Sequence, residues 1–343
     1  MSDTPVSPAL LAAAERVSVL PDRTGATVGK RQLEAETPRE LRRLLSDALY
    51  HELHAGLDVE GGSLPFRLRD PEFEAELAKA VPHRETTLRG VLREVGEDTH
   101  RVEFGGVTVR VPAERVLVEG EPAAGAVAAG AVAGGAVAAG AVVGGAVVGV
   151  RNTSLRPALS PGFFMVEGTR PHRSREVLRV YVHVESWQAA RPVWHAALTH
   201  LEANRVTYRS KIVSSKLLYP RRDALVVYLD QQDREAVHGL AEAVGELPGL
   251  GSDTSVFTRR IRPGVSTAWE PRDPAPGMDG LSFGQHRASV LAKALVDTAD
   301  APDTFVRVLH GHLVAANVDP ADPYRNLDSL DVSGPRAAEP VQG

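Results

Sequence analysis

The sequence predicts an α+β protein: a mixed or antiparallel sheet flanked by helices, preceded by a smaller N-terminal α/β accessory region. Three observations predict it. Stretches that alternate apolar and polar residues, such as Glu176–Glu185, stand between stretches of helical spacing, such as Trp187–Ala203, in no regular order. A length of 343 residues with 43% hydrophobic content is enough to bury a substantial core. Residues 125–149 run through five copies of a Gly-Ala-Val unit, each followed by two residues drawn from Ala, Val and Gly, and so separate two compositionally ordinary halves.

The accessory region is expected over residues 1–122. Thr37-Pro38-Arg39-Glu40 reads as a helix start, with Thr37 as cap, Pro38 in the first turn and Glu40 completing a capping box, and Leu41, Leu44, Leu45, Ala48 and Leu49 supply the apolar stripe. Asp70-Pro71 starts a second, short helix, and Thr87–Val111 changes to strand-like alternation around a Gly105-Gly106 hairpin turn. Residues 123–150 are expected to be a linker; the repeat is too poor in Leu, Ile and Phe to make a membrane span of ~20 residues. In residues 151–330, Leu178, Val180, Val182 and Val184 point to one side of a strand and Arg179, Tyr181 and His183 to the other. Further strands are expected near Val206–Val213, Ala224–Leu229 and Ser255–Ile261, with helices from Asp230 to about Leu247, near Gly284–Asp297 and over Pro302–Ala316, and residues 331–343 form a flexible tail.

Composition narrows the chemistry. With no cysteine, disulfides, thiolate nucleophiles and Cys-ligated metals are excluded, and a reducing cytoplasm is the expected setting. Aromatics are only 5% and the net charge is −5, so neither a base-stacking surface nor a field that draws the chain onto a polyanion is expected, and any phosphate site must be a compact cluster. The first thirty residues carry no basic segment followed by an apolar core. The histidines lack zinc-protease spacing, and there is neither a P-loop Lys-Ser/Thr nor a Gly-x-Ser-x-Gly elbow. Of 39 basic residues five are Lys, and Lys211 and Lys216 lie close together. Where Arg otherwise supplies positive charge, a retained Lys suits a task guanidinium cannot perform, such as losing its proton.

Seven stretches in order, Gly162–Val166, Arg179–Val184, Tyr208–Lys211, Tyr219–Tyr228, Arg262–Val265, Ser282–Arg287 and Asp322–Asn326, make roughly residues 160–330 resemble the HopA-type effector family, with weaker similarity at Leu45–Leu53. The family occurs as bacterial type III effectors and as the phospho-Ser/Thr lyase component of class V lanthipeptide pathways; the Ala- and Arg-rich composition favours the second setting. The resemblance implies β-elimination of phosphate from a phosphorylated precursor peptide, giving dehydroalanine or dehydrobutyrine, beside a kinase-like partner and without metal, cofactor, nucleic acid or membrane.

The reaction needs a base at Cα–H, cations on the phosphate dianion and an acid for the departing oxygen. Related phosphothreonine lyases use Lys and an upstream His, which implies Lys211 as base, with nearby Arg209, Arg221 or Arg222 favouring its neutral form, and His183 as acid. Tyr228, whose phenol stays protonated, is the alternative acid, and Lys216 is the fallback base or a phosphate ligand. Arg222 and Arg287, then Arg221 and Arg260, are the expected phosphate ligands, because a planar guanidinium can hold two phosphate oxygens. For any one of these Arg residues taken alone, a surface salt bridge to Asp223, Asp230 or Glu270 is the commoner explanation. The rival reading is a non-catalytic phosphopeptide-binding or scaffold protein that keeps the Arg cluster; only the lyase needs a neutralisable amine beside the phosphate.

Overall fold

The computed structural model describes residues 5–57, 69–118, 145–170, 176–278 and 280–332. Helix α1 (Pro8–Ala14) leads into a three-stranded antiparallel sheet, β1 (Val17–Val19), β2 (Gly25–Val28) and β3 (Arg31–Glu34), which the sequence reading missed because its strands are very short. Helix α2 (Pro38–Leu49) starts as expected: Thr37 Oγ1 accepts from the Glu40 amide at 3.2 Å. Its Leu41, Leu45, Ala48 and Leu49 are fully buried. The helix then widens into a π-helical turn, Tyr50–Ala55, closed by Gly56 at φ +69°.

Helix α3 (Pro71–Lys79) is capped by Asp70, which accepts from Phe73 N at 3.0 Å. Strands β4 (Glu85–Glu94), β5 (Thr99–Phe104), β6 (Val107–Pro112), β7 (Val116–Val118) and β8 (Val147–Thr153) form a second sheet in the order β6-β5-β4-β8-β7 around a small core of its own. Gly105 and Gly106, at φ +54° and +88°, turn β5 into β6 as expected.

The expected linker ends earlier than residue 150. Residues 119–144 lie outside the described residues, but Val147, Val148 and Gly149 of the last repeat copy pair with Val91, Gly90 and Arg89 of β4. Val148 is fully buried, because a Val-rich segment beside an unpaired edge gains both ladder hydrogen bonds and apolar contact. Deleting residues 125–144 is therefore expected to leave the fold intact, since loop length alters closure free energy only by ~0.6 kcal/mol per doubling. Extending the deletion to residue 149 removes part of β8 and should lower the thermal midpoint; thermal melts of the two deletions check this.

Residues 151–332 build the main layer. Strands β9 (Leu155–Ser160), β10 (Phe163–Glu167), β11 (Val177–Val184), β12 (Tyr208–Val213), β13 (Arg221–Asp230), β14 (Arg259–Arg262) and β15 (Val265–Trp269) form an antiparallel sheet in the order β14-β15-β11-β13-β12-β10-β9. The strand expected at Ser255–Ile261 begins only at Arg259, because Ser255 instead makes a turn, its carbonyl accepting from the Thr258 amide and hydroxyl; β15 was not foreseen. Helices α4 (Trp187–Ala203) and α5 (Ala236–Gly245) cover one face of this sheet, where the hydroxyl of Tyr208 donates to Glu202 of α4 at 2.8 Å. Trp194 of α4 is fully buried there. Helices α6 (Phe283–Asp297) and α7 (Phe305–Ala315) complete the fold, with α6 packed against α2 and the π turn on the opposite side. The fold is thus α+β, and the N-terminal region expected to be accessory supplies one wall of the space above the main sheet.

Candidate active site

Antiparallel register assembles the site on the open face of the main sheet. Lys211 of β12 stands opposite Val226 of β13, which stands opposite Tyr181 of β11; one step along, Arg209, Tyr228 and Arg179 form a parallel row. Two-residue spacing puts both rows on the same face. Tyr228 is consequently ringed by cations: Arg179 at 5.1 Å, Arg209 at 5.2 Å and the Lys211 ammonium at 5.9 Å from its ring centroid. Lys211 Nζ also lies 4.1 Å from the Phe163 centroid and 3.4 Å from Ser160 Oγ, and it forms no ion pair with a described residue.

A cavity of about 620 Å³ opens over these rows, lined from the sheet by Phe163, Arg179, Tyr181, Lys211, Val226 and Tyr228. Its rim comes from the segment after β15. Glu270 grips Arg179 bidentately, one contact being Arg179 Nη2 to Oε1 at 2.6 Å, which leaves Nη1 for another acceptor. Asp273 accepts from His286 Nε2 at 2.9 Å. The tautomer is set by Arg287, which can only donate: its Nη1 lies 2.7 Å from His286 Nδ1, so the imidazole proton sits on Nε2.

The opposite wall is the π turn. Tyr50 donates to Asp223 Oδ2 at 3.0 Å and accepts from Arg221 Nη2 at 2.9 Å, while Arg221 holds both Asp223 oxygens at 2.7 and 2.9 Å. Burial alone would raise the Asp223 carboxyl, but Arg221 outweighs it and holds it well below the usual carboxylate range. His54, only 3% exposed, has Nδ1 3.0 Å from Ser255 Oγ and its ring edge-on to Tyr181. Burial, with Arg221, Arg179 and Arg222 nearby, lowers its pKa to about 4. Burial and Arg287 lower His286 to about 4 as well.

These two histidines, with His51 of the π turn, also lowered to about 4 by burial and Arg221, set an acid transition. Each binds a proton in the unfolded chain below its ordinary value of ~6.5 but stays neutral in the fold down to about 4, so the unfolded state gains protons first as pH falls. Stability is complete above about pH 6.5 and is lost progressively between there and about 4, by on the order of 2–3 kcal/mol per group. Urea midpoints at pH 7 and pH 5 check this, and His54→Gln should flatten the difference.

Of the expected catalytic residues, the cavity brings together Lys211 and Tyr228. His183 is not among its lining residues. Pairing of β11 with β13 slips between Val182 and Val184, and this bulge carries His183 off the row to pack on Gly251, where a Cβ would stand 2.2 Å from its ring. Burial lowers its pKa.

The expected phosphate ligands do not line the cavity either. Arg221 is committed to Asp223 and Tyr50 beneath the wall, and Arg222 donates to Glu52 O at 3.0 Å and faces Asp253 at 3.5 Å. Arg260 is exposed on the edge strand β14. Lys216 stacks on Trp187 at 4.8 Å. Arg287, 1% exposed, donates to Pro323 O at 2.7 Å, and burial lowers its pKa to about 9; its Nη2 has no partner among the described residues. Of the cations that share a row with Tyr228, Arg179 lines the cavity while Arg209 flanks the Tyr228 ring without lining it, and alternation alone could have selected both. Tyr50 and His54, four apart in the Tyr50–Ala55 turn, carried no such signal.

The HopA1 effector protein family model matches residues 154–325. Among solved structures, an effector protein from Pseudomonas syringae pv. tomato strain DC3000 is 19% identical with a TM-score of 0.39, and one from Pseudomonas syringae pv. syringae strain 61 is 16% identical with a TM-score of 0.38. Each comparison covers 48% of this chain and 62% of the other, so the chain spans less than two thirds of the length of these relatives. No curated protein matches it. The matched segment takes in half of the sequence and every strand of the main sheet, with Lys211, Tyr228, Arg179 and Arg209 upon it, and the chain belongs to the HopA1 effector protein family.

Proposed function

We propose that this protein is a phosphoserine/phosphothreonine lyase. It eliminates phosphate from a phosphorylated precursor peptide to leave dehydroalanine or dehydrobutyrine, in lanthipeptide-type biosynthesis in the cytoplasm and downstream of a kinase-like partner. The observation that carries the reading is the grouping of Lys211, Arg179 and Arg209 around Tyr228, with the Lys211 ammonium free of any carboxylate among the described residues. The groups that flank Lys211 are Phe163, Tyr228 and Ser160.

The roles follow from position. Arg179, held flat by Glu270, takes the phosphate oxygens, and Arg209 over the Tyr228 ring adds positive charge beside them. Lys211 takes the Cα proton. The electron pair left behind becomes the Cα=Cβ bond as Cβ–Oγ breaks, and Tyr228, which replaces His183 in this role, donates its hydroxyl proton to the departing oxygen. Proton return from Lys211 to Tyr228 restores the starting state. Among the described residues no helix is long and apolar enough to cross a membrane.

Mass spectrometry of a synthetic phosphopeptide incubated with the protein tests the reading. Elimination removes ~98 Da and phosphatase action ~80 Da, whereas a binding or scaffold protein leaves the mass unchanged. An unchanged mass, with the phosphopeptide bound, favours the scaffold and overturns the lyase.

A further inference from the structure

His54 is absent from the roles assigned above, yet it lines the same cavity. Its ring is clamped on several sides: Tyr181 at 5.1 Å, Tyr50 at 5.6 Å and Phe283 at 5.9 Å between centroids. Space for it exists because residue 284 is glycine; a Cβ there would stand 2.2 Å from His54 Cδ2. Ser255 Oγ, which already accepts from the Phe257 amide at 3.2 Å, lies 3.0 Å from His54 Nδ1, so its hydroxyl hydrogen is available to that nitrogen. Asp223 Oδ2 stands 3.9 Å from Nε2, too far for a hydrogen bond but near enough for its negative charge to favour a proton on that side. The result is an imidazole fixed in orientation, with Nε2–H unbonded to any described residue.

We propose that His54 is the hydrogen-bond donor to the carbonyl oxygen of the phosphorylated residue, stabilising the enolate that forms as Lys211 removes the Cα proton. The inference rests on the lyase reading and deepens it. Cα–H of a peptide is a weak acid, and its removal places charge on the adjacent carbonyl oxygen; a donor there lowers the barrier, and is ready for the collapse of the enolate if it does not itself lose a proton to it. A neutral imidazole meets that condition, and burial keeps His54 neutral. The electrons balance: the Cα–H pair moves into Cα=C–O⁻, returns to re-form the carbonyl, and expels phosphate as the Cα=Cβ bond forms. The proton goes to Lys211, and His54 keeps its own. The wall opposite the sheet then has a chemical purpose, because it faces the carbonyl side of the substrate while the cations of β11 and β12 face the phosphate side.

The test uses a peptide in which a methylene replaces the bridging oxygen of phosphoserine. This phosphonate occupies the site but cannot eliminate, so in deuterated water its Cα hydrogen exchanges at a rate set by enolate formation. The unaltered protein is expected to catalyse exchange, His54→Ala to slow both exchange and kcat for the phosphopeptide by ~10²-fold with KM little changed, and His54→Gln, which restores an N–H donor, to recover part of the loss. Gly284→Ala, which displaces the ring without removing it, should match His54→Ala if it folds. Exchange at the unaltered rate in His54→Ala, or a protein that eliminates phosphate yet never exchanges the phosphonate, overturns this inference and leaves the lyase reading standing. A protein that eliminates nothing overturns both.

Discussion

Lys211→Ala is expected to lower phosphate elimination by ~10²–10⁴-fold while phosphopeptide affinity survives, because proton abstraction is removed and the guanidinium groups that hold phosphate remain. The site makes the separation sharp. Among the described residues the Lys211 side chain is bonded only to Ser160, at 3.4 Å, and rests on Phe163, so its removal breaks no ion pair with them and disturbs little packing. Lys211→Arg should be nearly as damaging, since guanidinium stays protonated at any usable pH. Single-turnover kinetics alongside phosphopeptide binding measure both quantities, and normal turnover in either variant removes Lys211 from the reaction.

Asp223→Ala is expected to cost about 3–5 kcal/mol of stability, because it strands a buried cation. Arg221 is 1% exposed and spends Nε and Nη2 on Asp223 and Tyr50, with no water-facing route for its charge. Replacing both members, Arg221→Met with Asp223→Leu, should recover most of the loss, since neither desolvated charge then remains. The carboxyl titrates below its ordinary range in the fold, so its contribution is intact above the unfolded value of ~3.8 and declines only below it. Asp223→Ala should therefore be as unstable at pH 5 as at pH 7, apart from the histidine transition shared with the unaltered protein. Urea denaturation of the single and double variants provides the measurement.

Much of the fold was legible because local chemistry and tertiary outcome agree. Thr37 and Asp70 cap the helices they were expected to cap, Gly105-Gly106 turns a hairpin, and Leu178, Val180 and Val182 face away from Arg179 and Tyr181. Lys211 was named from the family resemblance and Tyr228 for its protonated phenol; alternation then accounts for their sharing one face of the sheet. His183 obeys that alternation in sequence and escapes it in space, because the register slips there, with Arg222, Asp223 and Ala224 of β13 opposite His183 alone, and no pattern announces it. The Arg residues failed differently. Guanidinium chemistry selects residues able to bind phosphate, but Arg221 and Arg222 were already taken, by Asp223 and Tyr50 in one case and by Glu52 O and Asp253 in the other, and partners distant in sequence leave no local trace. His54 reaches the site through a π turn, whose wider winding re-aims the end of a helix whose amphipathic stripe predicts only packing.

That turn has a consequence for where the working unit begins. The family-matched segment starts at residue 154, whereas Tyr50 and His54 lie about a hundred residues earlier. A fragment cut to the matched segment would keep every strand of the main sheet, Lys211 and the cations, but Arg221 would lose its Tyr50 partner and the cavity would lose its far side to solvent. Such a fragment would hold phosphate in water rather than between walls, where each guanidinium is worth far less. On the lyase reading, the N-terminal fold belongs to the working unit, and a fragment holding only the sheet should be tested for phosphate affinity before it is tested for the reaction.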